Sequence, residues 1–236
     1  TVPLRRPIAS TDDLLPERGG AIQALTHDVL VGRSLQISSS GFLTIISIIQ
    51  GVALALLAQN TFEKPSSLGY LHSVTMLLVL VNVFYFYLSI SVPLRWAPSF
   101  MDAFLPFGVA GLEIPPAFFL GDAAAWNSWL GAFWLFTAGG LSITIKWSPL
   151  SHFGKDRAAH RLLHRWLGEL RLVTLSGGML MVALGLLAHL FPGTRIWWGL
   201  SGATVALAVI GVVVARSEIR LSQIHQHFGV NRPPFN

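Results

Sequence analysis

One acidic residue lies in the middle of a long apolar stretch of this 236-residue chain. Glu113 belongs to the segment 111–116, with the sequence GLEIPP. A carboxylate at bilayer depth is costly, and it is found mainly where it faces a bundle interior or a water-filled cavity. Glu113 is therefore a candidate site for a proton or a cation.

Two consecutive prolines follow this acid. Pro115 and Pro116 have no N–H groups, so in a helix the carbonyls of Gly111 and Leu112 lose their usual donors four residues further on. Free carbonyls beside a carboxyl group resemble the ion sites of transporters whose spans are broken helices. The alternative is a protonated or hydrogen-bonded Glu113 that only stabilises a kinked helix. The residues alone leave both interpretations open.

Small and weakly polar residues repeat through the apolar segment 41–58. They are spaced three or four apart and so share one face of a helix: Ser40, Thr44, Ser47, Gly51, Ala55 and Ala58. Gln50 lies beside that face. Such a face either lines a path through the membrane or lets another helix approach closely, and close packing is the commoner outcome.

The segment 73–92 carries a second set of polar residues on one helical face, and its Asn82 requires an interhelical hydrogen bond. Packing is again the default interpretation. The residues that we take as candidates for lining a path are Thr44, Ser47, Gln50, Gly51 and Asn82.

Asp156, His160 and His164 follow one another at intervals of four residues. On a helix they share a face, and two histidines at this spacing can chelate a metal. The connection 147–171, which contains them, also interleaves arginines with leucines and a tryptophan. That pattern is typical of a basic amphipathic helix on anionic headgroups. We therefore expect the connection to lie on the membrane surface, with the metal site as a minor alternative.

No bound cofactor is expected from the sequence. A haem held between spans requires histidines deep in facing helices, whereas His72 and His189 fall at the ends of apolar segments. Cysteine is absent, which excludes disulfides, a thiol nucleophile and cysteine-based metal sites.

The composition excludes most soluble classes of protein. Only 11% of the residues are charged, against about 25% in an ordinary soluble domain. A soluble chain with so few charges exposes large apolar patches. A water-soluble globular protein, a disordered chain and a nucleic-acid-binding domain are all excluded on this basis, despite the net charge of +5.

Six apolar stretches have about the 20 residues that a membrane-spanning helix needs. They run over residues 41–58, 73–92, 104–120, 126–145, 172–191 and 197–215. We predict an all-α, polytopic integral membrane protein with six transmembrane helices. The predicted parts are a polar arm 1–40 with a short interfacial helix near Ile22, Leu25 and Val29, a transmembrane domain 41–215 and a cytoplasmic tail 216–236.

The basic residues predict the orientation. With the N-terminus inside, only Lys64 and Arg195 of the 16 basic residues fall in outer segments. Lys and Arg concentrate in cytoplasmic segments of membrane proteins. Both termini are therefore expected in the cytoplasm, most simply of a bacterial inner membrane.

Two short segments resemble a known family. The segment 50–57, QGVALALL, and the segment 104–107, FLPF, are similar to parts of the bacterial and endolysosomal potassium-channel family. That family has six helices with both ends inside, and an Arg-Phe-Ser-Asp signature in its first helix. Gln50 stands where the family has Asp, and the signature is absent. The resemblance covers mainly the first half of the chain and implies the architecture only.

These observations predict a channel or transporter that passes a cation or a proton, with Glu113, Gly111 and Leu112 as its site. No hydrolase, nucleotide-binding, zinc-protease or kinase motif occurs, so we expect no enzyme. The expected partners are a bilayer with anionic headgroups and other copies of the chain or other membrane subunits, but no nucleic acid. The alternative is a non-catalytic accessory subunit of a larger membrane complex.

Overall fold

The computed structural model describes residues 27–63, 65–91, 100–147 and 156–229. These residues form helices and no strand, so the predicted all-α class is confirmed. The six α-helices are α1 (His27–Glu63), α2 (Ser67–Ser91), α3 (Phe100–Glu113), α4 (Ala123–Trp147), α5 (Arg157–Leu190) and α6 (Arg195–His227). Two 3-10 helices cover Pro115–Phe118 and Pro192–Thr194.

Four helical segments in the described part of the chain are long and apolar enough to cross a membrane. They are Leu43–Glu63, Ser67–Ile90, Arg157–Leu190 and Pro192–His227. The predicted third span corresponds to a shorter apolar helical stretch, Phe104–Phe118. These helices identify a membrane protein at the level of composition and length.

The fourth helix, α4, has the length of a span but is not among these four. It packs against α3, α5, α6 and the first 3-10 helix, and Trp126, Asn127 and Leu130 are completely buried. Protein rather than lipid surrounds these side chains, so polar and indole groups are tolerated there.

The backbones of α4 and α5 are in direct contact. A Cβ atom added to Gly131 would lie 2.9 Å from the nitrogen of Val182 and 3.0 Å from the carbonyl oxygen of Gly178. One added to Gly185 would lie 3.1 Å from the carbonyl oxygen of Ala124. Small residues permit this approach, as in many helix pairs within membranes.

The basic connection differs from its prediction. Residues 157–171 are the first turns of α5 rather than a separate helix on the membrane surface. Leu163, Trp166 and Leu170 are at most 1% exposed, and the indole Nε1 of Trp166 donates to Ser217 Oγ on α6 at 3.1 Å. These side chains are therefore buried within the protein, whereas a helix on the membrane surface would turn its apolar face toward lipid. Residues 148–155 lie outside the described part.

The predicted arm and tail also contribute to long helices. Residues 27–40 belong to α1, whereas Ile22 and Leu25 lie outside the described residues. At the other end, α6 continues to His227. At about 1.5 Å per residue, α5 and α6 are each about 50 Å long and exceed the roughly 30 Å hydrocarbon layer.

An ion pair joins the extended ends of α5 and α6. The guanidinium of Arg220 binds both carboxylate oxygens of Glu169, with a distance of 3.1 Å from Nε to Oε2. Arg165 binds the same carboxylate from the solvent side. Two-point Arg–carboxylate contacts fix orientation as well as distance, so this pair holds the two helices in register.

Candidate functional site

Helix α3 ends at Glu113. The amide of Ile114 donates to the carbonyl of Ala110 at 3.0 Å, which completes the α-helical pattern. The amide of Ala117 then donates to the carbonyl of Ile114 at 3.0 Å and forms the 3-10 helix Pro115–Phe118. The change of helix type places a backbone break beside the carboxyl group.

The two prolines account for this break. Because Pro115 and Pro116 carry no N–H, the carbonyls of Gly111 and Leu112 have no donor four residues further on. Gly111 is exposed and Leu112 is half-buried. The helix therefore breaks at the position that the sequence indicated.

The carboxyl group of Glu113 is completely buried. The side-chain amide of Gln50, on α1, donates to it, with Nε2 lying 3.1 Å from Oε1 and 3.0 Å from Oε2. In the described part of the chain no Lys or Arg forms an ion pair with this group. A neutral amide thus faces an ionisable acid inside the bundle.

The other end of that amide is unpaired. Gln50 Oε1 is buried and has no hydrogen-bond partner among the described residues. A primary amide has both a donor and an acceptor group. When Glu113 is an ionised carboxylate, the Nε2 group of Gln50 donates a hydrogen bond to it. When Glu113 is a protonated carboxylic acid, the Gln50 amide can rotate so that its Oε1 accepts a hydrogen bond from the acid. The pair can therefore be hydrogen-bonded in both protonation states.

Another polar side chain, Tyr87 of α2, lies near this pair. The Tyr87 side chain is 9% exposed, and its hydroxyl is close enough to Glu113 to interact with the charge of the carboxylate. Asn82 and Tyr87 both line a cavity in the middle of the bundle. Asn82, one of the candidates for lining a path, thus shares a cavity with Tyr87, which was not among the predicted residues.

The structure separates the remaining path candidates from Glu113. Thr44, Ser47 and Gly51 lie on the exposed outer face of α1. The hydroxyl of Ser47 donates to the carbonyl of Leu43 in its own helix at 2.8 Å. Of the α1 candidates, Gln50 is the one that contacts the buried carboxyl group.

The described residues around the histidine pair do not form a three-ligand metal group. Among the described residues, no group of three or more His, Asp or Glu is placed to hold a metal ion. The rings of His160 and His164 lie 4.2 Å apart, measured between centroids. Asp156 has a different partner, because its Oδ2 lies 2.6 Å from His227 Nε2.

Asp156 is the N-cap of α5. Its Oδ1 accepts hydrogen bonds from the amides of Ala158 at 2.9 Å and Ala159 at 3.0 Å. These bonds, above all that from Ala159, together with His227, lower the pKa of Asp156. The residue therefore stabilises the start of α5 as a carboxylate and joins it to the end of α6.

A buried histidine links three parts of the fold, which the sequence analysis missed. The ring of His72 stacks on Trp126 with centroids 3.9 Å apart. Its Nδ1 accepts from the amide of Gly121 at 3.2 Å, and Nε2 contacts the carbonyl of Gly199 at 3.4 Å. Both ring nitrogens are used within the protein, so His72 is a structural joint. Its position at the end of an apolar segment gave no signal of this role.

No protein-family model, curated protein or solved structure matches the chain. The fold and the apolar helices define an α-helical membrane protein. The arrangement of Glu113, Gln50 and their neighbours is what bears on its activity.

Proposed function

We propose that this protein is a membrane channel or transporter that passes protons or a cation, with Glu113 as its proton or ion site. The observation that carries the proposal is the completely buried carboxyl group at a helix break, paired with the neutral amide of Gln50. An isolated buried carboxylate is costly. Residues of this kind within membrane spans most often serve ion or proton pathways.

The geometry favours a proton over a metal cation. Hard cations are surrounded by several oxygen ligands, typically six or more for Ca²⁺. The hydrogen bonds described for the Glu113 carboxyl group come from one amide, and its N–H group repels a cation. A proton needs only the carboxyl group and an acceptor, and Gln50 provides a hydrogen bond to either form of the acid.

Six spans with both termini in the cytoplasm remain our proposal for the topology. The stretch Phe104–Phe118 and helix α4 would be the third and fourth spans. Support comes from the order of the chain, because Lys64 follows Glu63, the last residue of α1, and Arg195 is the first residue of α6, at the helix end opposite His227. The similarity to the potassium-channel family stays a prediction. It is of interest that Gln50, where that family has Asp, contacts Glu113.

A second candidate function has one observation in its favour. The small residues of α1 form an exposed outer face, and a Cβ added to Gly51 would meet no atom within 4 Å. Faces of this kind pack closely against other helices. An accessory subunit of a larger complex, or a homo-oligomer, would use this face.

The test is proton and potassium flux in liposomes reconstituted with the protein. The Glu113→Gln variant keeps the shape of the side chain and removes its acid group. We expect it to fold and to lose proton flux by about tenfold or more, which corresponds to about 1.4 kcal/mol of barrier. An imposed potassium gradient in a parallel assay distinguishes proton flux from potassium flux.

The matched control for this test is Glu63→Gln. Glu63 also accepts a hydrogen bond from a glutamine amide, with Nε2 of Gln59 lying 2.7 Å from its Oε1. This pair, however, lies at an exposed position at the end of α1. The Glu63→Gln variant should keep wild-type flux. A well-folded Glu113→Gln protein with unchanged flux would contradict the proposal. A wild-type protein with no flux above empty liposomes would favour the accessory role.

A further inference from the structure

A cavity with a volume of about 60 Å³ lies where α2 to α6 meet, and we call it the central chamber. Each helix contributes to its wall, and the residues used below are Asn82, Tyr87, Val109, Thr137, Thr174 and Val213. A water molecule occupies at least roughly 10–15 Å³ of such a volume. The chamber therefore has room for about four water molecules.

The wall of the central chamber offers hydrogen-bond acceptors. Asn82 Oδ1 is buried and has no partner among the described residues. The hydroxyls of Thr137 and Thr174 donate to carbonyls of their own helices, each at 2.9 Å, so their oxygens keep lone pairs. A buried acceptor without a hydrogen-bond partner destabilises the fold, and a bound water molecule removes this penalty by donating to the acceptor.

The central chamber lies next to the Glu113 site. Val109, in its wall, is one helical turn before Glu113 on α3. Tyr87 is also in the wall, and its hydroxyl interacts with the charge of Glu113. The central chamber is therefore within a short distance of a proton that leaves the carboxyl group.

The wall of the central chamber also continues into a polar part of the bundle along α6. Val213 lies one turn before Ser217 on α6, and Ser217 accepts from Trp166. The next residue, Glu218, accepts a hydrogen bond from the hydroxyl of Tyr85. Polar groups thus follow the chamber wall along α6 as far as Glu218.

We infer that the central chamber holds water anchored by Asn82 and forms the proton path between Glu113 and the end of the bundle that carries Glu218. The inference rests on the function proposed for Glu113. In the transfer step, the protonated Glu113 gives one proton to a chamber water molecule. The products are a hydronium ion and the carboxylate, which accepts from the Gln50 amide.

The first experiment measures whether water reaches the central chamber. The chain has no cysteine, so Val109→Cys introduces a single thiol into the wall. We expect Ag⁺ to react with it at least tenfold faster than with Ala53→Cys. Ala53 is also buried, at 2% exposed against 7% for Val109, but lies on α1 outside the chamber. Equal reaction rates at the two positions would overturn the inference.

The second experiment measures the path itself. Asn82→Leu removes the anchoring acceptor and fills space, and proton flux should fall about tenfold. The control is Asn60→Leu, because Asn60 is a buried asparagine of α1 that bonds to the carbonyl of Leu56 and lies outside the chamber. It should keep wild-type flux. Should Asn82→Leu not fold, Thr174→Val removes a second acceptor with little change in volume.

The outcomes separate this inference from the proposal for Glu113. If Glu113→Gln abolishes flux while Asn82→Leu and Thr174→Val do not reduce it, the path through the central chamber is wrong and the Glu113 site stands. If Glu113→Gln leaves flux unchanged, the proposed function fails and the proton path fails with it. In that case, fast Ag⁺ reaction at position 109 would still support a hydrated chamber, and slow reaction would contradict it.

Discussion

Replacing Gly131 with leucine should prevent α4 from packing against α5 and leave the protein unable to fold stably. The added side chain would begin within 3.0 Å of the backbone of Gly178 and Val182, and backbone atoms cannot rotate away. Even Gly131→Ala should lower the free energy of unfolding by about 1–3 kcal/mol, as overpacking usually does. Thermal unfolding in detergent, followed by tryptophan fluorescence, measures both variants.

A matched control lies two turns along the same helix. Gly139 is exposed, and a Cβ added there meets no atom within 4 Å. Gly139→Leu should therefore unfold at nearly the wild-type temperature. Equal stability of the Gly131→Leu and Gly139→Leu proteins would refute the described contact between α4 and α5.

Replacing Gln50 with leucine should both destabilise the protein and reduce its proton flux. The variant removes the hydrogen-bond donor of a completely buried acid. Hydrogen bonds to charged groups contribute about 1.5–3 kcal/mol, and we expect a loss of that size. Chemical unfolding measures the stability, and the liposome assay measures the flux.

The double variant Gln50→Leu/Glu113→Leu measures the interaction free energy between the two side chains. Removing both polar partners should restore part of the stability without restoring flux, since an apolar pair leaves no unpaired group. Gln59→Leu is the control, because it breaks the exposed pair with Glu63 and should change stability by less than about 0.5 kcal/mol. If Gln50→Leu is no more destabilising than this control, the buried pair does not stabilise the fold.

Hydropathy and proline chemistry predicted the helices and one of their ends. Long apolar runs are helical in the structure, and the break at Glu113 follows from Pro115 and Pro116. The extent of α5 was missed because an amphipathic period does not say what covers the apolar face. A helix that rests on a membrane surface and a helix that packs against another helix need the same pattern, and here Trp166 packs against α6.

The candidate site was predicted in part for a similar reason. A buried acid in an apolar segment is conspicuous, so Glu113 was found from the sequence. Periodicity placed Thr44 and Ser47 on one face of α1 with Gln50 beside it, but it did not indicate which face meets the protein. Only the packing of α1 against α3 shows that Gln50 turns inward.

The central chamber was outside the reach of sequence patterns. Asn82 was singled out, but its neighbours Thr137 and Thr174 come from helices far along the chain, and each bonds to its own backbone as an ordinary helical threonine does. Their common position depends on how five helices pack together. A single sequence with helical periodicity alone contains no information on that arrangement.

Infrared difference spectroscopy of the reconstituted protein tests most directly whether Glu113 exchanges a proton inside the bundle. Wild-type protein should show a carboxylic acid C=O band that changes between acidic and alkaline buffer and shifts in D₂O. The band should be absent from Glu113→Gln and retained in Glu63→Gln. A wild-type spectrum with no band that depends on Glu113, or with one that neither titrates nor shifts in D₂O, would contradict the account.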